Sequence, residues 1–146
     1  DVVLCSHVYE HVPDANILMS EIMRVMSSAG RCYFAAGNRL QLIEPHYKLP
    51  LLSVFPKPVG DFYMRLAGKG DEYYEKHLSL SGLQKLVKDF EVVDYTDRIL
   101  ANPEKYAAAY MIGPGSLKQR FAISLYRYLK FVFPGYIWLL KKPGAR

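Results

Sequence analysis

The chain has 146 residues, enough for one compact domain with a core of its own. Its apolar fraction of 51% and charged fraction of 23% are ordinary for a globular protein, and it has no run of about 18 uncharged apolar residues that would span a membrane. The net charge is +5, from 19 basic and 14 acidic side chains, too mild to argue for nucleic acid as a partner.

Val2 to Ser6 is a short continuous apolar run, which predicts a strand buried on both faces. Pro13-Asp14 then opens a helix whose apolar residues Ile17, Leu18, Ile22, Val25 and Met26 fall near helical spacing, with Glu21 and Arg24 opposite. Ser27-Ser28-Ala29-Gly30 ends it, Gly30 being suited to a left-handed cap. Arg31 to Ala36 reads as a second buried strand. Strand, helix and strand in so short a span form a βαβ unit, which implies a parallel pair with a right-handed crossover. Cys5 and Cys32 both fall in these strands, and two buried thiols fit a reducing compartment such as the cytoplasm better than a disulfide scaffold.

Residues 39–76 are punctuated by Pro45, Pro50, Pro56 and Pro58. They are too apolar for a disordered linker, since Leu49, Leu51, Leu52, Val54, Phe55, Phe62, Tyr63, Met64 and Leu66 all need burial. The stretch reads as a lid over the sheet with a short helix near residues 59–67. Ser81 and Gln84 have capping-box spacing and predict a helix to about Phe90. Glu91 to Leu100 follows as a third strand, and Asn102-Pro103 as the start of another helix. Ser116 and Gln119 offer a further capping box, for a helix with Leu117, Phe121, Leu125, Tyr128, Leu129 and Val132 as one stripe. Residues 101–134 thus form a helical insertion before a last strand, Tyr136 to Leu140. The late basic residues Lys118, Arg120, Arg127, Lys130, Lys141, Lys142 and Arg146 read chiefly as solvated charge, with an anionic membrane surface as the alternative partner.

In open α/β sheets, ligands bind beyond the carboxyl ends of the strands. Two such ends are visible, Ser6-His7-Val8-Tyr9-Glu10-His11 and Ala36-Gly37-Asn38-Arg39, with Glu44-Pro45-His46-Tyr47 close behind. An imidazole suits the work of a general base, which makes His46 the first candidate and His11 the second. His7, Glu10 and His11 stand at i, i+3 and i+4 and with His46 have the makings of a metal site, although no metal is expected. Tyr9 and His77 read as packing and structural residues.

The ordered series Asp1 to Asp14, with its apolar strand, polar end and Glu10-His11-Val12 segment, resembles the fourth-strand motif of Rossmann-like S-adenosylmethionine-dependent methyltransferases of the small-molecule type. Glu21 to Met26 followed by Gly30 resembles the helix and turn before that family's fifth strand, and Tyr136 to Pro143 resembles its last strand. Asn38-Arg39 with Glu44-Pro45-His46 is similar to a subgroup acting on saccharides, lipids or secondary metabolites. The resemblance implies an α/β fold made of half a methyltransferase sheet, strands 4-5-7-6 with the seventh antiparallel, and S-adenosylmethionine as cofactor. It implies Ser6 and His7 on the cofactor side and Asn38, Arg39, Glu44 and Tyr47 toward a small-molecule acceptor. The chain begins inside a strand, without the family's glycine-rich loop. Residues 1–146 are therefore expected to be the C-terminal part of one domain, weak in cofactor binding alone and prone to self-association through the first strand. A non-catalytic binding module that keeps the half-sheet is the competing expectation.

Overall fold

The computed structural model describes residues 1–144, so Arg146 of the basic tail lies outside the described residues. In chain order the elements are β1 (Val2–Ser6), α1 (Ala15–Val25), β2 (Arg31–Gly37), α2 (Lys57–Leu66), α3 (Leu80–Leu86), β3 (Glu91–Asp94), α4 (Thr96–Ala101), α5 (Leu117–Tyr128) and β4 (Gly135–Lys141). Among the described residues the strands form one sheet in the order β1-β2-β4-β3. β1 runs parallel to β2, with Ser6 opposite Ala35, and β4 runs antiparallel to both β2 and β3. The architecture is mixed α/β and consistent with a Rossmann-like fold.

The alternation of each strand sorts its side chains between two unequal faces. Cys32, Phe34, Trp138 and Leu140 are all buried on one face, where Met19, Ile22 and Met26 of the α1 segment join the same core. The other face is partly bare. Val2 and Leu4 are 70% and 74% exposed, which corrects the expectation that β1 is buried on both sides. Both cysteines are free and buried, and burial pushes the thiol pKa of Cys5 up to about 11 and that of Cys32 to about 12. Such thiols stay protonated and inert at neutral pH.

Asp14 caps α1 by accepting a hydrogen bond from the Asn16 amide, 2.7 Å away. The helix buries Met19 and Ile22, while Ile17 and Val25, expected on the inner face, are exposed. Gly30 is not left-handed. A side chain there would meet the Ser27 carbonyl oxygen at 3.0 Å, so close approach within the turn is what demands glycine.

Four further expectations are corrected. The third strand stops at Asp94, because Asp94 Oδ1 accepts from the Thr96 amide and Thr96 Oγ1 accepts from Ile137 N, which turns the chain into α4. No helix starts at Asn102-Pro103; that stretch makes turns, with the Pro103 carbonyl accepting from Ala108 N. α3 is capped by Ser79, whose hydroxyl accepts from Gly82 N, and not by Ser81, and it ends at Leu86. α5 has the expected cap, Ser116 accepting from Gln119 N, but it turns its apolar stripe outward. Polar anchors decide this: Gln119 Nε2 donates to the carbonyls of Leu100 and Ala101, and the Tyr126 hydroxyl donates to Asp94 Oδ2, so Gln119, Ala122 and Tyr126 face inward.

Residues 39–76 carry a separate small core of Leu49, Leu52, Met64 and Tyr73 around α2. Leu51, Phe55, Phe62 and Leu66, expected inside, are exposed.

Candidate active site at the carboxyl ends of β1 and β2

β1 ends at Ser6 and the chain then bends sharply. His7 takes the left-handed conformation (φ 52°), uncommon for a side-chain-bearing residue, and its amide donates to the Ala35 carbonyl of β2 at 2.9 Å. The bend leaves Ser6, His7 and His11 exposed and drives Tyr9 and Glu10 inward. Tyr9 is a bracket. Its hydroxyl donates to the Gly37 carbonyl at 2.7 Å and accepts from Leu78 N at 3.1 Å, joining three segments at one point.

All four histidines of the chain gather around two buried carboxylates, Glu10 and Glu44. His7 Nδ1 lies 3.3 Å from Glu10 Oε1, yet neither Glu10 oxygen accepts a hydrogen bond among the described residues. Glu44 Oε2 accepts from Tyr47 N at 2.6 Å, while its Oε1 faces His46 Nε2 at 4.0 Å and His77 Nε2 at 3.7 Å. The His11 and His46 rings meet edge to face, with centroids 4.9 Å apart. Glu10, His11 and His46 place donor atoms within 4.8 Å of one another, a set that a divalent cation could draw together.

Charge follows from this placement. Burial is the strongest single influence on Glu10 and opposes its ionisation, but the His7 contact, its own backbone amide and the neighbouring imidazoles together outweigh it and hold the carboxyl below its ordinary pKa. The Glu10 carboxylate correspondingly raises the pKa of His7. His77 is buried, and burial lowers its pKa in spite of the carboxylates beside it, so its ring is held neutral at neutral pH.

The structure thus brings His11, His46, Glu44 and Tyr47 together with the β1 end. Asn38 is placed differently from its expected role toward substrate. It is fully buried, its Nδ2 donates to the carbonyls of Phe131 and Phe133 and to the Tyr136 hydroxyl, and its Oδ1 accepts from Leu40 N. That side chain is a structural clasp. Arg39 is exposed, donates to the Val54 carbonyl and lines a cleft of about 330 Å³ with Phe55, Tyr73 and His77. Tyr47 packs edge-on against Tyr73. Sequence reasoning gave His77 a structural role and Tyr9 packing alone, without the place of His77 behind Glu44.

Residues 1–34 match the family described as "Methyltransferase domain". The matched stretch runs from β1 through α1 into β2, so it contains Ser6, His7, Glu10 and His11 and stops short of Glu44 and His46. It supports a methyltransferase domain in this part of the chain. No curated protein matches the chain.

Proposed function

We propose that this chain carries the acceptor side of an S-adenosylmethionine-dependent methyltransferase acting on a small-molecule, sugar-linked or lipid-linked substrate. The observation that supports this most is the meeting of His11 and His46 in front of buried Glu10 and Glu44, at the carboxyl end of a parallel pair whose first part matches a methyltransferase domain. In this reading β1, β2, β3 and β4 are the fourth, fifth, sixth and seventh strands of the family's sheet, and residues 39–76 are its lid.

The residues fit one flank of the cofactor. Ser6 and His7 stand exposed at the end of β1, fixed by the His7 amide on Ala35. The cofactor supplies a methyl group on a sulfonium, and transfer is an in-line displacement in which positioning dominates. His11 and His46 hold the acceptor, and His46 takes the proton as the acceptor oxygen bonds to carbon and the carbon–sulfur bond breaks. Glu44, 4.0 Å behind His46, steadies the imidazolium so formed. Two inert buried thiols support a reducing compartment, the cytoplasm.

A second reading is favoured by the buried carboxylate of Glu10, which accepts no hydrogen bond among the described residues and stands near His11 and His46. A divalent cation on Glu10, His11 and His46 would lower the acceptor's pKa in place of the imidazole base.

The test is transfer of labelled methyl from S-adenosylmethionine to sugar and lipid acceptors, with calorimetric titration of S-adenosylhomocysteine into this chain and into any longer product of its gene. Transfer that survives a chelator and fails in His46→Ala supports the base; transfer abolished by a chelator and restored by manganese supports the cation. Absence of both cofactor binding and transfer in every form sinks the methyltransferase reading and favours a binding module.

A further inference from the structure

α5 presents an apolar strip to solvent that no element among the described residues covers. Leu117, Phe121 and Tyr128 fall along one line of the helix and are 80%, 69% and 75% exposed. Gln119, Ala122 and Tyr126 occupy the opposite, buried line. Tyr110 and Met111 of the preceding turn are exposed too, the Met111 carbonyl accepting from Lys118 Nζ of α5 at 2.8 Å, and so is Phe131 beyond the helix. Contiguous exposed apolar surface of this kind marks an interaction site.

Its charge identifies the partner. Residues 105–146 contain eight Lys and Arg and not one Asp or Glu, while all 14 acidic residues of the chain lie before them. Arg120 and Arg127 flank the strip on one side of α5 and Lys118 on the other, all exposed. An apolar centre with cations at both margins is the pattern of a helix lying in the interface of an anionic bilayer, side chains in the acyl boundary and guanidinium groups among the headgroups. Nucleic acid would be met by cations at the centre of the surface, where this one has Leu117, Phe121 and Tyr128.

The strip is also tied to the site. Phe131 lies three residues beyond the end of α5, and its carbonyl accepts from Asn38 Nδ2 at 2.7 Å, while Asn38 N donates to the Pro134 carbonyl at 2.9 Å. Asn38 immediately follows Gly37, whose carbonyl receives the Tyr9 hydroxyl beside Glu10. The chain just beyond the apolar strip is therefore clamped to the carboxyl end of β2.

We propose that the α5 face docks this protein on an anionic lipid surface. Taken with the methyltransferase reading, on which this last step rests, the acceptor is lipid-linked and is met at the membrane.

The experiment is co-sedimentation of the full chain with phosphatidylcholine vesicles, with and without phosphatidylglycerol, at low and high salt. Binding to the anionic vesicles alone, weakened by salt, is expected. The pair Arg120→Glu and Arg127→Glu should weaken it about tenfold or more, since each cation near an anionic surface adds to the attraction and each replacement turns it to repulsion. Leu117→Ser with Phe121→Ser should weaken it comparably, and all four side chains are exposed, so circular dichroism should report an intact fold. The proposal is overturned if neutral vesicles bind equally, if neither kind binds, or if the variants bind like the parent. It is overturned too if Phe121→Ser abolishes a solution dimer while vesicles are ignored, which would make the strip a contact between copies. Vesicle binding is read without cofactor or acceptor, so its failure and failure of methyl transfer are separate results.

Discussion

Glu10 and His77 answer burial in opposite ways, and the difference gives each a distinct signature. Glu10 is 1% exposed, yet His7, 3.3 Å from its Oε1, acts with its own backbone amide and the neighbouring imidazoles to hold its pKa below the ordinary value. His77 is held neutral by its burial. A histidine whose folded pKa is lowered contributes stability that is complete above its unfolded pKa, about 6.5, and is lost as pH falls below it. Stability should therefore decline from about pH 6.5 downward, with a slope of up to about 1.4 kcal/mol per pH unit for one proton. His77→Gln should flatten that decline in urea titrations at a series of pH values; an unchanged slope would place the proton uptake elsewhere. His7 has the contrary sign. Its folded pKa is raised, so its contribution is complete below the unfolded value and disappears as pH rises through the folded one. The deficit of His7→Ala against the parent should be largest in mild acid and vanish in alkali. At His46 the test is catalytic: His46→Ala should lower kcat by about 10²–10⁴-fold, the usual worth of a general base, with S-adenosylhomocysteine binding unchanged. A loss of the same size in the binding constant would make His46 a cofactor ligand and not the base.

At the level of elements, Gly30 separates two reasons for a glycine. Its backbone is not left-handed, but a Cβ would stand 3.0 Å from the Ser27 carbonyl oxygen, in a turn that closes through Gly30 N donating to that same oxygen. Gly30→Ala should cost about 1–2 kcal/mol by overpacking against backbone, seen as a lower denaturation midpoint at an unchanged denaturant slope. A neutral or stabilising result would show that the turn yields freely. The βαβ unit was legible because Val2 to Ser6 and Arg31 to Ala36 are continuous apolar runs around one amphipathic segment, and β4 for the same reason. The rotation of α5 was not legible. Its apolar stripe satisfies every periodicity rule, yet Gln119 and Tyr126 go inward because their partners, the Leu100 and Ala101 carbonyls and Asp94, wait on distant elements. β3 was read too long because its end depends on Thr96, at the start of α4, bonding to Ile137 of β4, a contact between segments far apart in sequence. The site divides in the same way. His11 and His46 stand in recognisable local segments, whereas the place of His77 behind Glu44 and the clasp made by Asn38 exist only once residues 37–47, 76–78 and 131–136 have met.

The whole molecule presents apolar surface at both ends of its sheet, and the two ends call for different partners. At the β3 side lie α4 and α5 with the basic strip. At the far end β1 is an edge, paired on one side with β2 among the described residues, and it carries exposed Val2 and Leu4 toward the barer face of the sheet. An edge strand with a free row of backbone amides and carbonyls, and apolar side chains beside it, is a template for another strand, and β1 has no proline, lysine or bulge to blunt it. A second copy of this chain is an available partner at that edge, so sedimentation should show association that grows with concentration. Leu4→Lys places a charge on the bare face without touching Cys5 or the buried core, and it should shift the chain toward monomer with an unchanged thermal midpoint. Phe121→Ser, at the opposite end, should leave this association as it was. The two substitutions together separate the edge from the strip: association lost through Leu4 alone belongs to β1, and association indifferent to Leu4 means that the edge of this sheet is not used.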